Sequence, residues 1–261
     1  MRVTDIGEWT KIFRPGDMVL ALALLTRLPF PHTPSAARAP AAAAWAYPLV
    51  GVVVGLLALA VGWAVQWLGA TAPITAMVVL ATGIVVTGAM HEDGLADCAD
   101  GFWGGWTVAR RLEIMKDSQI GTYGVIALVM SLLTRWYVLT MLIDKGALVG
   151  AVLVSAVISR AAMVGVMHWL PNARKIGLSA QTGRPAGAPT VMALGIAVVA
   201  AVAAPTVSMF WLLIFAALVT VAAGRVARRK IGGQTGDVLG ATQQVVEITV
   251  LVAFDVMISS W

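Results

Sequence analysis

The sequence predicts an all-α polytopic membrane bundle of about seven spans (six to eight), with an N-terminal helix that lies in the interface or re-enters. Three observations predict it. Hydrophobic residues make up 59% of the 261-residue chain and charged residues 12%, half the roughly 25% of a soluble domain. The mean hydropathy is +0.87. Several apolar runs rich in Ala, Val and Leu, with scattered Gly, approach or exceed the roughly 20 residues that cross a hydrocarbon core.

Taken in order, residues 1–16 are polar and mixed in charge, with no apolar core and small-residue cleavage site, so they do not read as a secretory signal. Residues 17–30 are apolar but short, interrupted by Arg27 and ended by Pro29 and Pro31, which predicts the interfacial or re-entrant helix. A Pro/Ala-rich linker is expected over 31–43. Spans are expected over 44–68, 72–90, 120–143, 147–170, 190–204, 207–224 and 238–260, the fifth and sixth divided only at Pro205. Together, residues 1–261 read as one integral membrane domain. A single cysteine, Cys98, excludes an internal disulfide.

Charge gives the expected topology. Every Lys and Arg except Lys145, Arg135 and Arg160 precedes the first span or falls between spans two and three, four and five, or six and seven. The positive-inside rule makes that side the cytoplasm and, with an odd span count, puts the C-terminus outside. The expected location is the bacterial cell inner membrane, multi-pass, with the site facing the cytoplasm. Topology accounts for the net charge of +5, so it is no nucleic-acid footprint.

The acidic residues are concentrated. Of 13 Asp and Glu, Glu92, Asp93, Asp97, Asp100, Glu113 and Asp117 crowd one stretch, residues 91–118, at the cytoplasmic end of the second span. If 91–101 is helical, Asp93, Asp97 and Asp100 share one face within roughly 60°. Carboxylates so placed repel one another, strongly at a low-dielectric interface. A hard divalent cation relieves the repulsion, and oxygen ligands favour Mg²⁺, Mn²⁺ or Ca²⁺ over zinc. The alternative is a solvated acidic helix end. Against it, charges of one sign predominate, and Gly94 and Gly101 leave room for an approaching group. His91 reads equally as a proton-transfer group and as a polar helix-end residue, and Cys98 as packing.

Further on, Arg110, Arg111, Lys116, Asp117, Ser118, Gly121 and Gly124 precede a helix start. Such a loop can clamp phosphate, or it is an ordinary positive-inside loop with a capped helix. Residues 232–244 place glycines around Asp237 at the mouth of the last span, with Gln234 before it and Gln243 and Gln244 one turn further in. Polar residues entering a span, and Arg160 within one, are costly without a partner or polar cavity. Arg135 could instead snorkel. The convergence suggests one cytoplasmic pocket.

These residues resemble the cobalamin synthase family, the adenosylcobinamide-GDP ribazoletransferases. The patterns are HxDGLADxxDG over 91–101 and MKDSxIGTYG over 115–124, with similarity from Leu24 through Gly233-Gln234-Thr235-Gly236-Asp237. The resemblance implies an integral membrane transferase that joins adenosylcobinamide-GDP to α-ribazole, or its 5′-phosphate, with GMP as the leaving group and Mg²⁺ as cofactor. It implies that Asp93, Asp97 and Asp100, with Glu92, hold the metal and that a carboxylate or His91 takes the proton. Arg110, Arg111 and Lys116 would contact phosphate, while Asp237, Gln234 and Gln243 position substrate. Membrane lipid and other cobalamin-pathway enzymes are the expected partners. A fainter likeness to CDP-alcohol phosphotransferases stops at Asp97, which stands where that family's motif has Ala-Arg. An ion-coupled transporter is the rival from another class, but no two similar halves are visible.

Overall fold

A computed structural model describes residues 13–30, 39–204 and 209–259. Within them the chain is helical, without strands. Helix α1 (Pro15–Leu25) starts on a proline, which lacks the amide that a first turn would orphan, and Asp17 accepts the Arg14 N–H at 3.1 Å. It ends before Arg27, five residues short of the expected Phe30, and is too short to cross a bilayer. Residues 31–38 of the expected linker lie outside the described residues. The remainder is no linker: Pro40–Ala46 forms a 3₁₀ turn whose alanines are buried against α1 and the following helix.

The spans follow: α2 (Tyr47–Trp67), α3 (Ala72–Thr87), α4 (Met90–Gly104) and the short α5 (Val108–Ile114). Then come α6 (Thr122–Asp144), α7 (Leu148–Trp169), the one-turn α8 (Leu178–Thr182), α9 (Gly187–Val202), α10 (Met209–Ile231) and α11 (Gly236–Ser259). Five helices are long and apolar enough to cross a membrane, or six if the bent pair α3–α4 counts as one. The count of six meets the lower end of the six to eight expected; α3 and α9, with 16 residues each, give about 24 Å of helix against a ~30 Å core and fall short singly. The break expected at Pro205 falls at residues outside the description; α9 ends at Val202 and α10 begins at Met209.

Helix α7 is the hub. It is the most enclosed of the long helices and packs against α2, α9, α10 and α11, so its small residues (Ala151, Ser155, Ala156, Ala161, Ala162) let neighbours close in. Gly51 shows how close: a Cβ there would lie 2.4 Å from the Ala156 carbonyl oxygen of α7. Helix α6 closes the other side against α3, α4 and α11.

One bend positions the site. Gly88 and Ala89 both adopt left-handed φ, +66° and +57°, and turn the chain by 86° between α3 and α4. The Arg27 side chain covers Gly88, and its N–H donates to Val86 at 2.8 Å, so the N-terminal segment braces the bend. Ala89 pays a Cβ penalty of about 1–2 kcal/mol that glycine would not. Strain of this kind persists only where surroundings impose it. Helix α4 therefore leaves the axis of α3.

Candidate active site

Helix α4 has two unlike sides. His91, Glu92, Gly94, Ala96, Cys98, Asp100 and Phe102 are buried; Asp93 is exposed and Asp97 half-buried. The stretch is helical as the spacing required, but the four expected metal ligands do not converge.

Asp100 turns into the start of α6. Its carboxylate accepts the N–H of Gly121 at 2.7 Å and of Gly124 at 2.8 Å, an anion on the orphan amides of a helix N-terminus. A Cβ at Gly121 or Gly124 would stand 2.5 or 2.3 Å from those carboxylate oxygens. The two glycines of the 115–124 pattern therefore admit a protein carboxylate, not a phosphate. Gly101 likewise makes room for Met115, and Gly94 for the Asp237 backbone, so neither leaves space for a ligand.

Glu92 faces the bundle interior. Arg135 donates to its Oε1 at 3.1 Å and Gln244 at 3.0 Å. Arg135, 3% exposed, does not snorkel; it also lies 3.5 Å from Glu247. Arg160 bonds the Ala156 carbonyl and stands 4.0 Å from Glu247, while Gln243 donates to Ser159 and Glu247. Arg160 and Gln243, expected to bind substrate, thus belong to an interior network of ion pairs around a cavity of ≈ 550 Å³, mouth included. His91 is buried and lines that interior cavity, not the two cavities that Asp93 lines.

What does gather is a different trio: Asp93, Asp97 and Asp237. The close packing of α4 on α11 at Gly94 brings Asp237 alongside. Burial, then repulsion from Asp237 and Asp93, pushes the Asp97 carboxyl up to about 7, against the opposing pull of Arg174. Asp237 accepts from Thr235 at 3.1 Å and from Arg174 at 3.4 Å. Arg174 is itself tethered to the Leu112 carbonyl at 2.8 Å. Two open cavities flank Asp93. One, ≈ 920 Å³, is lined by Asp93, Asp97, Lys116, Asp117 and Ser118; the other, ≈ 600 Å³, by Asp93, Asp237, Arg174, Gln234 and Ser179. Each cluster thus sits between anionic and cationic walls, an arrangement suited to a phosphorylated ligand.

The remaining expected residues divide. Lys116, Asp117 and Ser118 line the larger cavity. Arg110 is exposed and pairs with Glu113 at 2.8 Å, and Arg111 bonds the carbonyls of Gly105 and Lys230, which fixes α5 to the end of α10. Gln234 is fully buried. It receives a hydrogen bond from Ser179 at 2.5 Å, bonds Asn172, and pairs through its backbone with Pro171 and Ala173, so it holds the loop that carries Arg174. Arg174 and Glu247 escaped the sequence reading. Arg174 was hidden among loop cations; Glu247 is an acid inside an apolar run, and that alone could have flagged it.

Known proteins resemble this chain over most of its length. The family model described as cobalamin-5-phosphate synthase matches residues 17–255. Adenosylcobinamide-GDP ribazoletransferase of Mesorhizobium japonicum is 40% identical over 245 residues, covering 94% of each chain. Proteins of the same name from Bradyrhizobium diazoefficiens and Sinorhizobium medicae are each 41% identical, covering 90% and 95% of this chain and 92% and 97% of theirs. No solved structure matches.

Proposed function

This chain belongs to the cobalamin-5-phosphate synthase family, and from that premise we propose how its carboxylate cavities carry out the reaction of its relatives. The activity is that of an adenosylcobinamide-GDP ribazoletransferase. A ribose hydroxyl of ribazole attacks the phosphorus attached to cobinamide, the pyrophosphate P–O bond breaks, and GMP departs with the electron pair. The observation that carries the placement is the trio of Asp93, Asp97 and Asp237 between two cavities with cationic walls.

Catalysis of such a transfer is positioning and charge neutralisation. Lys116 on one side and Arg174 on the other supply cations for the pyrophosphate. Asp237 and the Leu112 carbonyl hold Arg174 in place, and Gln234 holds its loop. A carboxylate of the trio takes the proton released by the attacking hydroxyl. The cavities open at one end of the bundle, where a corrinoid too large to enter can dock its nucleotide loop.

Mg²⁺ fits the donor set. Among the described residues no three His, Cys, Asp or Glu side chains form a ready-made cage. Mg²⁺ seldom uses one: it keeps waters and is held by one or two carboxylates plus substrate phosphates. Burial, then its anionic neighbours, pushes the Asp97 carboxyl up to about 7, as expected of crowded carboxylates before a cation joins them. Asp93 and Asp97, with Asp237, would hold the metal, which when bound offsets charge on the phosphates and leaving group.

The trio's end of the bundle also carries Arg110, Arg111, Arg174 and Lys230, which supports a cytoplasmic site in the inner membrane. Association with other cobalamin-pathway enzymes belongs to the same proposal and is tested by co-purification. The direct test is turnover in liposomes with adenosylcobinamide-GDP and α-ribazole. Equal yields of cobamide and GMP, abolished by EDTA and restored by Mg²⁺, support the reading; EDTA-resistant turnover removes the metal.

A further inference from the structure

A third cavity adjoins the site and has no part in the transfer chemistry above. Its walls include Tyr47 of α2, Met90 and His91 of α4, Met163 and Met167 of α7, and Leu178 of α8. The space is ≈ 420 Å³ including its open mouth.

Two features give it a function. First, Met90, Leu178, Ser179 and Gly236 line both this cavity and the one that holds Asp93, Asp237 and Arg174. The two adjoin at these residues, the first mostly apolar and the second charged. Second, His91 in the apolar cavity is 1% exposed, and its Nε2 has no hydrogen-bond partner. A buried nitrogen left unpaired costs about 1–3 kcal/mol, a cost that a complementary ligand atom removes.

We infer that this apolar cavity holds the aromatic base of the ribazole nucleoside, with the ribose reaching the carboxylate trio. The inference rests on the transferase reading above. A nucleoside of this kind has the same polarity profile as the adjoining pair of cavities: a flat apolar bicycle at one end, hydroxyls at the other. Three methionines give adaptable walls and favourable sulfur–aromatic contacts. The ring nitrogen that carries no sugar is an acceptor, and the unpaired His91 Nε2 in the apolar cavity is there to meet it.

The test is steady-state kinetics of the full chain in liposomes, varying each substrate in turn. Leu178→Trp, at an exposed position on the shared mouth, and Met163→Phe both fill the space; Met163→Leu conserves its volume. The expected result is a KM for α-ribazole raised at least ~10-fold in both filling variants, an unchanged KM for adenosylcobinamide-GDP in Met163→Phe, and near wild-type values for Met163→Leu. Free dimethylbenzimidazole should compete with α-ribazole and not with the cobinamide nucleotide. Wild-type turnover combined with an unchanged ribazole KM in both filling variants would overturn the base pocket and leave the transferase reading standing. Absence of wild-type turnover would remove that reading and this inference together. Should Met163→Phe fail to fold, Leu178→Trp and the competition experiment decide.

Discussion

Glu92 and Asp93 are neighbours in the chain and opposites in circumstance. Glu92 is buried and receives hydrogen bonds from Arg135 and Gln244. Asp93 is exposed beside two cavities, with Asp97 and Asp237 as company. The contrast extends to Asp100, whose charge is absorbed by the first amides of α6. Half of the acidic motif therefore holds α4 against the bundle, and the other half faces like charges that Arg174 only partly offsets. Helix geometry makes the division: successive residues point about 100° apart, so a helix lying on a bundle presents adjacent acids to opposite environments.

The largest effect should come from breaking the compensated side. Arg135→Met leaves Glu92 buried with its main cation gone and should destabilise the protein by about 3–5 kcal/mol, measured by chemical unfolding in detergent. Pairing it with Glu92→Leu should recover much of that loss. On the uncompensated side the effect should be catalytic instead. Asp93→Asn and Asp97→Asn should each lower turnover by at least ~10²-fold while the apo protein unfolds no earlier than wild type. Turnover within a few-fold of wild type in both would place the chemistry elsewhere.

Gly121→Ala and Gly124→Ala test the third carboxylate. Each new methyl meets the Asp100 oxygens and should cost about 1–3 kcal/mol by displacing them from the α6 amides. A smaller signal is the pH dependence of apo stability. The Asp97 carboxyl sits at about 7 when folded and near 3.8 when not. Between these values the folded protein holds a proton that the unfolded chain has released, so apo stability falls as pH rises through this window. Thermal scans from pH 4 to 8 should show the slope, and Asp97→Asn should flatten it. The smallest effect belongs to Arg110→Ala. Its pair with Glu113 is solvated, and its loss should leave the unfolding midpoint unchanged.

How far the sequence could be read follows the same division. Apolar runs mark most of the long helices because hydrocarbon demands length, but α3 and α9 are short helices in apolar sequence, and hydropathy does not see where a helix stops. The sharp bend at Ala89 had no signal, since alanine is among the last residues expected at positive φ. The acidic motif pointed to α4, but it assigned its carboxylates by spacing. Spacing shows which residues share a helix face. It cannot show that Asp100 meets the start of α6, or that Asp237, distant in sequence, takes its place in the trio. Gly94 and Gly121 were visible as gaps, but only the partner element says who fills them.

The central claim is that the cation belongs to Asp93 and Asp97 and not to Glu92. Its most direct test is Mn²⁺ binding, followed by electron paramagnetic resonance on purified protein without substrate, in wild type, Asp97→Asn and Glu92→Gln. The account predicts a bound Mn²⁺ signal that Asp97→Asn loses and Glu92→Gln keeps. Loss in Glu92→Gln with full binding in Asp97→Asn would contradict it.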